Sequence, residues 1–117
     1  MSSFDFTVEW DQPEGVHVLK LIGRMDLAKS MDLESMVIAR LEEEPLPLVI
    51  QMAHMSYLPS AGIGAMLNIH RHCMVNKLKI VMAECPPEVK RLLDVVEIAQ
   101  LMPMFETEAE AVAAART

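Results

Sequence analysis

The sequence predicts a single α/β domain spanning residues 1–117, built on a mixed, mostly parallel sheet of about five strands with about four helices packed on it. Three observations predict it. Runs with two-residue hydrophobic alternation switch repeatedly to runs with helical spacing. The two middle strands are apolar on nearly both faces, as strands covered by helices on both sides are. Strand–helix–strand connections also require crossovers between parallel neighbours. A hydrophobic content of 52 % in 117 residues is ample for one core. No linker, low-complexity run or internal repeat suggests a second domain.

The first strand is predicted over 4–10, where Phe4, Phe6, Val8 and Trp10 alternate with Asp5, Thr7 and Glu9. Asp11-Gln12-Pro13-Glu14-Gly15 reads as a turn. A second strand follows over 16–22, antiparallel to the first. From Asp26 to Glu44 the spacing is helical, with Leu27, Met31, Ile38 and Leu41 on one stripe interrupted by Glu34, and Pro45 and Pro47 end the helix. A third strand spans 48–53, a loop 54–59, and a second helix 60–76.

The fourth strand is predicted over 78–83, and Pro86-Pro87 opens a third helix with Val89, Leu92, Leu93 and Val96 as its apolar stripe. A short strand over 101–105 precedes Thr107-Glu108-Ala109-Glu110, the capped start of an alanine-rich last helix. The predicted order is β-β-α-β-α-β-α-β-α.

Composition excludes several functions. The formal charge of −7, from 17 acidic against 10 basic residues, argues against nucleic acid and anionic membranes, whose recognition rests on clustered Lys and Arg. The start of the chain lacks a secretory signal and no stretch reaches membrane-span length, so a cytoplasmic protein without membrane insertion is expected. Cys73 and Cys85, isolated in sequence, are expected to be reduced thiols. No catalytic elbow, phosphate loop or dinucleotide fingerprint is present, and Ser60 has no evident general base, so an enzyme is not expected and no cofactor is implied. His70 and His72 point in different directions on a helix, and His70 with Cys73 makes only two ligands, so no metal site is expected. Most of the eleven methionines are read as core.

The informative stretch is Tyr57-Leu58-Pro59-Ser60-Ala61-Gly62-Ile63-Gly64, between a central strand and a helix. Ser60 is placed to cap that helix by accepting from the N–H of Gly62 or Ile63, and the glycines keep the first turn narrow. A phosphate on Ser60 would sit at the positive end of the helix dipole and change what docks on the loop. Asp26, in the turn after the second strand, should lie at the same end of the sheet, where open α/β sheets present their sites. It is also a natural cap for the first helix. Met25, Asp26, Leu58, Pro59, Ala61, Gly62 and Ile63 are therefore the candidate partner-binding residues around Ser60.

Gly23-Arg24-Met25-Asp26, the run from Leu48-Val49-Ile50 to Ser60-Ala61-Gly62-Ile63-Gly64, Pro87-Glu88-Val89-Lys90-Arg91-Leu92-Leu93 and the order of elements together resemble the anti-sigma factor antagonists, a bacterial family built on the STAS domain. The resemblance covers nearly the whole chain. It implies that the unmodified protein binds an anti-sigma factor, often itself a serine kinase, and that phosphorylation of a loop serine blocks binding until a phosphatase restores it. The family loop reads Asp-Ser-Ser-Gly, which makes Ser60 the implied phosphoacceptor and Gly62 its glycine. Pro59 stands where the family has Asp, and Ala61 where it has the second Ser. The alternative is a STAS-type interaction module, scaffold or transporter-associated, that docks constitutively and is never phosphorylated. A small-ligand or nucleotide sensor at the same end of the sheet is a third reading.

Overall fold

In a computed structural model that describes residues 5–117, Ala99 by its backbone alone, nine elements of strand and helix follow the expected order. They are β1 (Phe6–Asp11), β2 (His17–Arg24), α1 (Leu27–Glu43), β3 (Leu48–Tyr57), α2 (Ser60–Val75), β4 (Ile80–Ala83), α3 (Pro87–Val95), β5 (Met104–Phe105) and α4 (Glu108–Arg116). Phe4, the first residue of the expected first strand, lies outside the described residues. The sheet order is β1-β2-β3-β4-β5, with β1 antiparallel to β2 and every other pair parallel. A sheet that grows in one direction through right-handed crossovers places its crossover helices on one face.

The two-residue period of the strands divides the core accordingly. Leu19, Leu21, Leu48, Ile50, Ile80 and Met82 face a cluster with Leu33, Val37 and Leu41 of α1, Met66 and Ile69 of α2, and Val89 and Leu93 of α3. Val16, Val18, Val49, Val81 and Ala83 face Ala111, Val112 and Ala115 of α4. The capping box of α4 is complete: Thr107 accepts from the Glu110 N–H, and the Glu110 carboxylate accepts from the Thr107 N–H.

Several boundaries and faces differ from expectation. β3 continues through His54 to Tyr57, where the sequence predicts a loop. The register explains why: Lys20 pairs with Gln51 and Ile22 with His54, then Gly23 with Met55 and Arg24 with Tyr57. β3 therefore carries one extra residue in each interval, two bulges that break the alternation by which a strand is recognised. The buried amide of Gln51 serves the first bulge, its Oε1 accepting from the Ala53 N–H at 2.7 Å. The last strand is reduced to Met104–Phe105, because Ile98–Gln100 form a 3₁₀ turn and Met102 is buried beyond it.

The core face of α1 is Ser30, Leu33, Val37 and Leu41. Leu27 and Met31, placed on its apolar stripe by the sequence, are each 64 % exposed. In α3, Val89 and Leu93 are buried, whereas Leu92 and the capping Val96 are partly exposed, at 38 % and 44 %. At the far end of the sheet, His17 is buried beside Trp10, its Nε2 2.9 Å from the Glu44 carbonyl oxygen, which ties the end of α1 to β2.

Candidate functional site around Ser60

The carboxyl ends of β2 and β3 meet because the two strands are parallel and stay paired, through the two bulges, to their last residues, Arg24 against Tyr57. Gly23 makes this end possible. Its φ is +104°, and a Cβ there would run into the backbone carbonyl of Asp5, which accepts from the Arg24 N–H at 3.0 Å. Beyond it, the Met25 N–H approaches the Tyr57 carbonyl oxygen at 3.5 Å, and the Arg24 guanidinium lies 4.8 Å from the centre of the Tyr57 ring.

Asp26 caps α1, its carboxylate accepting from the Lys29 N–H at 2.8 Å, while the Ser30 hydroxyl donates to the Asp26 carbonyl. The carboxylate is half-buried.

Ser60 is not the cap of α2. Pro59 occupies that position with φ −78° and ψ 167°, and its carbonyl accepts from the N–H groups of Gly62 at 2.9 Å and Ile63 at 3.1 Å. Those are the two donors expected to reach the serine hydroxyl. Ser60 is instead the first helical residue, exposed, and among the described residues its hydroxyl and its amide make no hydrogen bond. A helix leaves its first amides without internal acceptors, so the N–H groups of Ser60 and Ala61 remain available at the positive end of the α2 dipole.

Gly62 serves close packing rather than a thin turn. A Cβ there would lie 2.7 Å from Leu58 Cδ1 and 3.0 Å from Met25 Sδ. The structure thus brings all the sequence-picked residues together and sorts them. Met25, Leu58, Gly62 and Ile63 are buried beneath the site and hold its shape, so their side chains do not form the outer surface. Ser60 is exposed, with Pro59, Ala61 and Asp26 half-buried around it. Tyr57, 41 % exposed, and Arg24 beside it complete this end. Sequence reading assigned them no role, although Arg24 sits within the Gly-x-x-Asp turn and Tyr57 three residues before the serine.

An open groove of about 420 Å³ lies at the adjoining end of β4 and β5, lined by residues that include Glu84, Cys85, Lys90 and Phe105. Burial pushes the Cys85 thiol up to about 11, with Lys90 opposing and Asp94 adding to the shift; burial alone does the same to Cys73. Among the described residues no group of three His, Cys, Asp or Glu side chains could hold a metal ion.

The sequence pattern of the STAS domain matches residues 7–111. The chain belongs to the STAS domain family. An anti-sigma F factor antagonist of Paenibacillus polymyxa is 27 % identical over 110 residues, covering 89 % of this chain and 90 % of the relative. The crystal structure of an anti-sigma factor antagonist from Mycobacterium paratuberculosis superposes with a TM-score of 0.83 at 21 % identity, covering 97 % of this chain and 96 % of that one. The murine Slc26a9 anion transporter contains the same fold, with a TM-score of 0.75 at 18 % identity over 87 % of this chain and 18 % of the transporter. Among the described residues of this STAS chain, no helix is long and apolar enough to cross a membrane.

Proposed function

We propose that this STAS protein is an anti-sigma factor antagonist that acts in the cytoplasm by partner switching, without enzymatic activity of its own. The observation that carries the reading is the exposed Ser60 hydroxyl at the start of a sixteen-residue helix, beside the Asp26 turn. The 27 % identity to an anti-sigma F factor antagonist along nearly the whole chain supports it. The unmodified surface binds an anti-sigma factor of the serine-kinase type. Phosphorylation of Ser60 adds roughly −1.5 to −2 charges where the free amides of Ser60 and Ala61 receive them, so the fold persists while the binding face gains bulk and negative charge. A phosphatase restores the binding form.

The test uses the kinase-type anti-sigma factors of the source genome, each purified and mixed with the chain and ATP. Intact-mass and peptide mass spectrometry should find one phosphate on Ser60. Calorimetry should show that Ser60→Ala binds and that Ser60→Asp does not. Absence of phosphate, with both variants binding like the wild type, would refute the switch.

The second reading, a constitutive docking module, is favoured by Pro59 and Ala61. Proline replaces the acidic neighbour of the family's acceptor serine and contributes no N–H. Under that reading the same experiment gives binding that is indifferent to the residue at position 60.

A further inference from the structure

The exposed apolar residues of α1 are not scattered. Leu27 and Met31, each 64 % exposed, stand on the shoulder of the helix that turns toward α2. Glu34, on the same shoulder one turn further in, accepts from the Asn68 side-chain N–H of α2 at 2.9 Å. α1 and α2 are successive crossover helices between parallel strands, so they run in the same direction side by side. Stepping back one turn from the Glu34–Asn68 bond sets Met31 against Gly64; a second turn sets Leu27 against the level of Ser60 and Ala61. A Cβ built on Gly64 meets nothing within 4 Å, so the surface of α2 is open and cut back to the backbone at that level.

Resting on the proposed partner switching, we infer that this trough is part of the same docking face as Ser60, with Leu27 and Met31 as its apolar anchors. The occupant is the anti-sigma factor itself, through apolar side chains ringed by basic ones. Two observations select that occupant over a second copy of this chain. By the same helix registry the trough leads to the Ser60 end of α2, so a protein that reaches the serine lies beside it. Asp26 and Glu34 flank it, and the chain carries a net charge of −7, so a second copy would bring like charge to an acidic margin. Large apolar side chains left in water beside a functional loop are the usual anchors of such contacts.

The experiment titrates the purified anti-sigma factor that binds the wild-type chain with four forms: wild type, the double variant Leu27→Ser with Met31→Ser, Ser60→Asp, and Val95→Ser. Val95, 80 % exposed on α3, is the control for loss of any surface hydrophobe. The double variant should bind at least about tenfold more weakly, corresponding to about 1.4 kcal/mol. Its melting curve and its Ser60 phosphorylation by excess kinase should be retained, and Val95→Ser should bind like the wild type. Affinity of the double variant within twofold of wild type, while Ser60→Asp releases the partner, overturns the trough and leaves the switch standing. Weakened binding by the double variant with no effect of Ser60→Asp retains the surface and removes the switch. Failure of the wild type to bind any of the purified anti-sigma factors overturns both. Sedimentation showing a wild-type dimer that the double variant dissociates also overturns the inference, assigning the trough to a second copy.

Discussion

Three glycines of this chain sit in three different environments, and replacing each with alanine should give three different outcomes. At Gly23 the backbone has φ +104°, and the new methyl would meet the Asp5 carbonyl, a backbone group that cannot swing away. Left-handed strain costs about 1–3 kcal/mol, and displacing Asp5 from the Arg24 N–H costs about 1 kcal/mol more, for a total of about 3 kcal/mol. At Gly62 the helix gains about 1 kcal/mol of propensity, but the methyl presses on the buried Leu58 and Met25, where overpacking costs about 1–3 kcal/mol. A net loss of about 1 kcal/mol is expected there.

At Gly64 nothing stands in the way, and alanine should stabilise by about 0.5–1 kcal/mol. For a chain of this size each kcal/mol moves the melting temperature by roughly 4 °C. Scanning calorimetry should therefore rank Gly64→Ala above wild type by about 2–4 °C, Gly62→Ala slightly below it, and Gly23→Ala below by about 12 °C. A Gly23→Ala protein melting within about 2 °C of wild type, or a Gly64→Ala protein melting below it, would refute the packing argument.

Gln51→Leu should cost about 1 kcal/mol in urea denaturation, because the half-buried Ala53 N–H at the first bulge loses its acceptor; an unchanged midpoint would remove that role. Asp26→Ala should lose about 1 kcal/mol through the missing cap, whereas Asp26→Ser should retain most of the stability, so a partner-binding defect in the serine variant reports on the carboxylate itself. Cys73 and Cys85, both raised to about 11, should react slowly with iodoacetamide at pH 8 in the folded protein and rapidly once unfolded. Because burial favours the protonated thiols, their contribution to stability is full below the ordinary value of 9.0 and lost as pH rises through about 11. The melting temperature should fall across that window less steeply in a Cys73→Ala, Cys85→Ala protein, and equal slopes would exclude the thiols as its cause.

The order of elements was legible because strand and helix periods alternate cleanly, and Pro45, Pro47, Pro86 and Pro87 mark their boundaries. The end of β3 was not legible. Two bulges shift its side chains out of alternation, so His54 to Tyr57 read as a loop. Leu27 and Met31 pulled the apparent stripe of α1 away from Ser30, Leu33 and Val37, since periodicity counts apolar residues without knowing which of them water reaches. Glu34 was the signal: its carboxylate interrupts the stripe because that shoulder is not the core. At the candidate site the pattern predicts that these residues lie together, as they do, but not their division into supports and surface. Ser60 read as a cap because serine favours that position, yet a proline carbonyl had already taken the two amides.

Pro59 has a consequence for the kinetics of docking. Its ring holds φ near −78°, Leu58 before it is anchored in the interior, and Gly62 after it is wedged against Leu58 and Met25. Little backbone entropy is left for an arriving protein to remove, so this corner behaves as a preformed die rather than a tether that must settle. Encounter should then be limited by orientation and charge, and differences in affinity among variants should appear mainly in how long the complex lasts.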